Sequence, residues 1–312
     1  MSEFVAITAF PDANVSFKRE ALIFQRIGVH NLKVDLNQLR SRGATHEGGL
    51  FETLEWLLEQ DVLFEPELMV RDIHTNADSE LNRYLKDYRN HQKKDKELES
   101  KFLTSLHNAN ADPMDTIQLF FEGVLAMLDA SDTLSRILSV QLRKFHNMDA
   151  HALVKGSSLS SNSSTGAHTT LGIVLKAMPG PSESVSWEQI LEYRSDPDTW
   201  TKFLSLRNWM NEVARANLTP IEVEQKLEYL MNQYQRHMEV HKMKTSAGAL
   251  ETVVTATAEL AEDLVKFKWG KIAKGLFAFK QRKVSLLEGE LKAPGAEVAF
   301  IVKTKQQFLR SG

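Results

Sequence analysis

Two histidines four residues apart, His237 and His241, share one face of a helix, a spacing that can hold a divalent metal. A zinc protease helix places glutamate directly after the first of these histidines. Here that position is Met238, Glu239 points elsewhere, and no downstream residue supplies a recognisable third ligand. The pair reads as a polar helix face, with His237 and His241 the weak metal candidates and no cofactor or metal expected. A second cluster, His146 to His151, falls at an expected helix end, where the backbone dipole favours imidazolium. Between 193 and 209 lie Tyr193, Arg194, Trp200, Phe203, Arg207 and Trp209. Trp200, Phe203 and Arg207 share a side at helical spacing. Such a set can stack nucleic-acid bases, form a protein hot spot, or pack as core with a snorkelling arginine.

One segment differs from the rest of the chain. Residues 264–283 read LVKFKWGKIAKGLFAFKQRK, with seven basic residues and no acid, inside a chain whose formal net charge is -3. On a helix, Val265, Trp269, Ile272, Ala273, Leu276 and Phe279 fall within one sector of about 120°. Lys266, Lys268, Lys271, Lys274 and Arg282 lie outside it. Trp269 among flanking lysines suits a membrane interface, and the same pattern suits an acidic protein partner or a phosphate backbone. Each is weighed against ordinary packing of an amphipathic helix on a core.

The signatures of several chemistries are missing. There is no Gly-x-Ser-x-Gly elbow, no Gly-x-Gly-x-x-Gly after a strand, and no P-loop ending on the Ser-rich stretch 156–169. Gly43 and Gly48-Gly49 precede a helix but follow no convincing strand, so they read as a hinge or turn. The chain has no cysteine, which excludes disulfides, thiolate zinc sites and cysteine nucleophiles within it. The net charge argues against a dedicated nucleic-acid binder. The first residues carry no basic region followed by a long apolar run, and no predominantly apolar run of 18 residues occurs, so neither a secretory leader nor a membrane span is expected. A cytoplasmic location is the expectation.

The elements that would position these residues follow from periodicity. Val5–Phe10, Arg26–His30 and Asp61–Phe64 read as strands alternating with helices at 16–24 and 50–59, the grammar of a parallel or mixed sheet. Residues 78–107 read as a long polar helix. Asp112-Pro113 starts the next, to about Leu128, and Ser131 or Asp132 caps another to about Asn147. Ala152–Val154 reads as a strand, 156–169 as a flexible loop, and Leu171–Met178 as the clearest strand of all. Beyond Pro179-Gly180-Pro181 the chain reads as helical. Ser186 with Gln189, Asp196-Pro197, and Thr219-Pro220-Ile221-Glu222 are start signals, and a further helix opens at Gly248 or Ala249. The fold expected is α/β and helix-dominated, with about five strands. A sheet region spans 1–180 with a helical insertion over about 78–147, and a helical region spans 181–312.

Three stretches carry a resemblance: Phe17–Ile27 after a strand, Leu171–Pro181 leading into Ser186–Arg194, and Pro294–Phe308 with Val298–Ile301. Together they resemble a loose set of uncharacterised bacterial proteins, a domain of unknown function. The resemblance implies a bacterial, cytosolic accessory protein of the kind found at stress or phage-defence loci, and it supplies no catalytic residue. The leading functional expectation is a non-enzymatic interaction or oligomerisation module with a protein partner or a second copy. The alternatives are a membrane-interface effector acting on anionic lipid through 264–283, and an enzyme, a hydrolase or nuclease, with a site at the strand C-termini. Nucleic acid ranks last among the partners.

Overall fold

The computed structural model describes residues 2–8, 17–41, 50–70, 79–108, 112–153, 166–263, 289–290 and 292–308. The chain forms two compact units, Met1–Asn162 and Ser163–Gly312. It is a helix-dominated α/β fold with a small parallel sheet in the N-terminal half and a helical C-terminal region.

The first unit runs β1 (Phe4–Thr8), α1 (Lys18–Ile23), β2 (Arg26–Val29), α2 (Leu32–Ser41), α3 (Leu50–Glu59), β3 (Leu63–Phe64), α4 (Pro66–Met69), α5 (Ser79–His107), α6 (Pro113–Phe145) and β4 (Asp149–Ala152). The four strands lie in the order β3-β2-β1-β4, all parallel. Parallel strands are covered on both faces and so read as continuous apolar runs. Phe4-Val5-Ala6-Ile7 is such a run, and every residue of β1 is buried. Val5 and Ile7 pack with Ala150, Leu138 and Leu142 against α6. On the opposite face Phe4 stacks on Phe24 at 4.9 Å and meets the edge of His151 at 5.1 Å. Asn31, Asp61 and Asn147 take positive φ beside the strands, which short polar side chains tolerate. Gly28, in the centre of β2, lies between Ile7 of β1 and Phe64 of β3. A Cβ there would stand 2.5 Å from Ile7 Cδ1 and 3.0 Å from Phe64 Cζ.

The second unit holds α7 (Gly166–Ala177), α8 (Trp187–Ser195), α9 (Pro197–Arg215), α10 (Pro220–Asp263), a 3-10 turn at Ala296–Val298 and α11 (Ala299–Phe308). The starts of α8, α9 and α10 are those marked in the sequence. Ser186 and Gln189 form a reciprocal capping box, Asp196 caps the Thr199 N–H at 2.8 Å, and Thr219 and Glu222 close a second box. An aromatic group of Tyr193, Phe203, Phe300 and Phe308 seats α11 on α8 and α9.

Several sequence expectations are corrected. Leu171–Met178 is helix, not strand. Thr170, Leu171, Ile173 and Val174 are all buried, and the Thr170 hydroxyl donates to the Gly166 carbonyl one turn back at 2.8 Å, so packing overrides β-branched propensity. Ser131 and Asp132 start no helix. The hydroxyls of Thr133 and Ser135 bond back to Asp129 and Ser131 carbonyls, and α6 runs unbroken for 33 residues. The strand expected at 152–154 lies at 149–152, which places His151 in a buried strand, not at a helix end. α10 passes through Gly248 and Ala249 without a new start. The division falls at Asn162/Ser163, and Pro179-Gly180-Pro181 lies inside the second unit, between α7 and α8. Four strands, not five, are found among the described residues. Gly166–Thr169, read as loop, open α7; Gly43, Gly48-Gly49 and 264–283 lie outside the described residues.

Gly28→Ala should destabilise the first unit by about 1–3 kcal/mol, because Ile7 and Phe64 must both give way. Gly123→Ala, in mid-α6 with nothing within 4 Å of the added Cβ, should instead stabilise it by about 0.5–1 kcal/mol. Urea unfolding of both variants checks the pair.

Candidate docking surface and buried polar clusters

The residues singled out by chemistry are mostly consumed by packing. On α10 the rings of His237 and His241 lie nearly parallel, 6.1 Å apart, and His237 Nε2–H donates to the Gly289 carbonyl at 3.1 Å. Gly289 presses on the His241 imidazole so closely that no Cβ would fit between them. The pair therefore holds the 289–290 backbone. No group of three or more His, Asp or Glu suited to a metal occurs among the described residues. Of the 193–209 set, Arg207 and Trp209 are buried, and Trp200 reaches the surface with its ring against Phe203 at 5.2 Å. Arg194 is half-buried, and burial pulls its guanidinium down to about 10. The four residues do not form one open stacking face; they belong to the core of the helical unit and its margin.

Sequence reading did not find the buried ionic cluster beside them. Glu290 accepts from the Tyr234 hydroxyl and from Lys303 Nζ at 2.9 Å, with Lys202 Nζ at 3.6 Å. Lys202 also pairs with Asp198. Burial alone would raise the Glu290 carboxyl. The Tyr234 hydroxyl and the two ammonium groups outweigh that and hold it below the usual carboxylate range. Burial and the Glu290 charge push the Tyr234 hydroxyl up. The cluster ties α9, α10, 289–290 and α11 together. Beyond the local pair Asp198 and Lys202, its members come from positions 234, 290 and 303, so no local spacing could have signalled the whole cluster.

In the first unit, an open parallel sheet places a ligand where the strand order reverses, outside the strand C-termini. That point lies between β1 and β4. Thr8 ends β1 there, and His30 follows β2 with Nε2 3.1 Å from Ser131 Oγ. Burial holds the His30 imidazole below its usual value, so it is neutral near pH 7. A serine beside a neutral imidazole is the beginning of a nucleophile–base pair, but no described side chain orients His30 as a third member would.

The surface that stands out is the α5–α6 hairpin. At its base Leu81, Ile137 and Val140 pack with Tyr84, Leu85 and Tyr88. Farther out, Phe102 meets Phe120 at 5.7 Å. The outer side of this distal half is apolar and bare. Met114, Ile117, Phe121, Leu125 and Leu128 are all exposed, Met114 by 69% and Phe121 and Leu125 each by 60%. At 100° per residue these five lie in one sector of about 80°, roughly opposite the side that faces α5. Leu103, Leu106, Phe120 and Met127 extend the patch on its margins. Met114, Phe121 and Leu128 repeat every seven residues, with Ile117 and Val124 between them, the pattern of a coiled-coil seam. The sector continues along α6 into Ser135, Ser139 and Leu142, where the face is buried. The heptad spacing is present in the sequence, but spacing does not tell a covered stripe from a bare one.

Compared with protein-family models, curated proteins and solved structures, the chain matches none, so no family is shown.

Glu290→Gln should destabilise the helical unit at pH 7 by roughly 1–3 kcal/mol, since Lys202 and Lys303 lose their counter-charge. A carboxyl held low in the folded state stabilises above its unfolded pKa of about 4 and loses that contribution as pH falls through the folded value. The gap between wild type and variant should therefore close below about pH 4. Thermal unfolding of both proteins from pH 3 to 7 checks this.

Proposed function

We propose that the chain is a protein-interaction module whose docking surface is the outer seam of the α5–α6 hairpin. The observation that carries this reading is the row of large apolar side chains, Met114 to Leu128, left exposed on the same face of α6 that is core farther along. Contiguous apolar patches of this size on a folded surface mark sites of association. Nine large apolar side chains, two of them phenylalanine, are each about half uncovered here. A heptad-spaced seam is complementary to another helix. The seam's edges at Gln118 and Glu122 are polar, which gives the rim that such interfaces have.

If the seam serves docking and not folding, it should tolerate charge. Phe121→Asp with Leu125→Asp should leave the melting temperature nearly unchanged, within about 0.5 kcal/mol per site, where a core position would lose about 3–5. A photo-crosslinking residue at position 121 or 125, expressed in the native host, should join the chain to one discrete protein. The same residue at Lys93, exposed on α5, should not, and Ile117→Asp with Leu128→Asp should abolish the product. A strongly destabilised Asp variant, or no product at 121 and 125, would overturn the reading.

A further inference from the structure

Resting on the docking reading of the hairpin, we propose that the occupant of its outer seam is a basic amphipathic helix. The seven-residue repeat of Met114, Phe121 and Leu128 fixes the partner as a helix, because only a helix keeps its knobs in register with such a row. Charge fixes its sign. From Asp112 to Asp132 the chain carries five acids and no base. Asp115, Glu122 and Asp129 share the seam's seven-residue period and form a row along one flank. A helix seated on the seam therefore runs beside carboxylates over its whole contact. Cations at its margin meet complementary charge, and anions are repelled. The same row repels an anionic lipid surface. A second copy of α6 has an equal apolar seam but brings only acid over the same stretch, so like charges approach.

The chain's own sequence offers a probe of the required chemistry. A peptide of residues 264–283 has seven bases, no acid, and an apolar sector running from Val265 to Phe279. Fluorescence anisotropy of the labelled peptide is read against the full chain. It is also read against the full chain carrying Lys266→Glu, Lys268→Glu, Lys271→Glu and Lys274→Glu, whose own segment no longer matches the acidic flank. Saturable binding by at least one of the two is expected, weakened by salt. The triple variant Asp115→Lys, Glu122→Lys, Asp129→Lys should weaken binding roughly tenfold, as three exposed ion pairs would. A control peptide with all seven bases changed to glutamate should not bind the wild-type surface and should gain on the triple variant.

Equal binding of the control peptide overturns the basic-helix assignment. So does a dimer in sedimentation that Phe121→Asp dissolves while no peptide binds. Failure of every peptide, with the crosslink at position 121 still formed, overturns this proposal alone and leaves the docking reading standing. Loss of the crosslink as well overturns both.

Discussion

A parallel sheet must be covered on both faces, and in the first unit one face is given to a helix far longer than the strands. The strands hold two to five residues each, so they span about 17 Å at most. α6 has 33 residues and is about 50 Å long. Only its C-terminal part, from Leu134 to Leu142, can lie on Val5, Ile7 and Ala150. Most of the remainder outruns the sheet and runs along α5. One helix face thus meets two environments: core where the sheet exists, and solvent where it ends.

That mismatch explains why the hairpin holds its form and yet has a bare side. Along the inner side, Leu81, Ile137 and Tyr84 lock the base, and Arg143 donates to the Ala150 carbonyl at 2.8 Å while lying 3.7 Å from Glu80. α5, α6 and β4 are joined there. A rigid base and an uncovered outer seam present a preformed helix face, which lowers the ordering cost of binding. The second unit solves its packing differently. α11 and the 289–290 backbone are held by a buried carboxylate with two ammonium groups. Such a cluster adds little net stability over an apolar core but penalises any arrangement that separates its charges.

Much of this was legible in the sequence because it rests on local chemistry. Capping at Ser186, Asp196 and Thr219 needs only neighbours three residues away, and each cap formed as read. The apolar run from Val5 announced a strand, in a sheet read as parallel or mixed. What was not legible depended on distant partners. Leu171–Met178 has β-branched residues in an apolar run, and only packing in the helical unit decides that it coils into α7. Ser131 and Asp132 look like caps until the hydroxyls of Thr133 and Ser135 are seen bonded back along a continuous helix. His237 and His241 read as a polar helix face with a weak metal candidacy, and nothing in sequence places the Gly289 backbone against them.

The same limit explains why the seam was missed while residues 264–283 drew attention. An excess of charge is visible in sequence because composition alone reveals it. An exposed apolar stripe is invisible there, since Met114, Ile117 and Phe121 at helical spacing are what a core stripe would also show. Distinguishing the two requires knowing where the sheet stops. Once β1 and β4 are seen to end as they do, the heptad of α6 becomes surface, and the charge of its flank becomes the basis of the proposed partner's sign. The proposed docking role thus rests on a helix built longer than the sheet it covers.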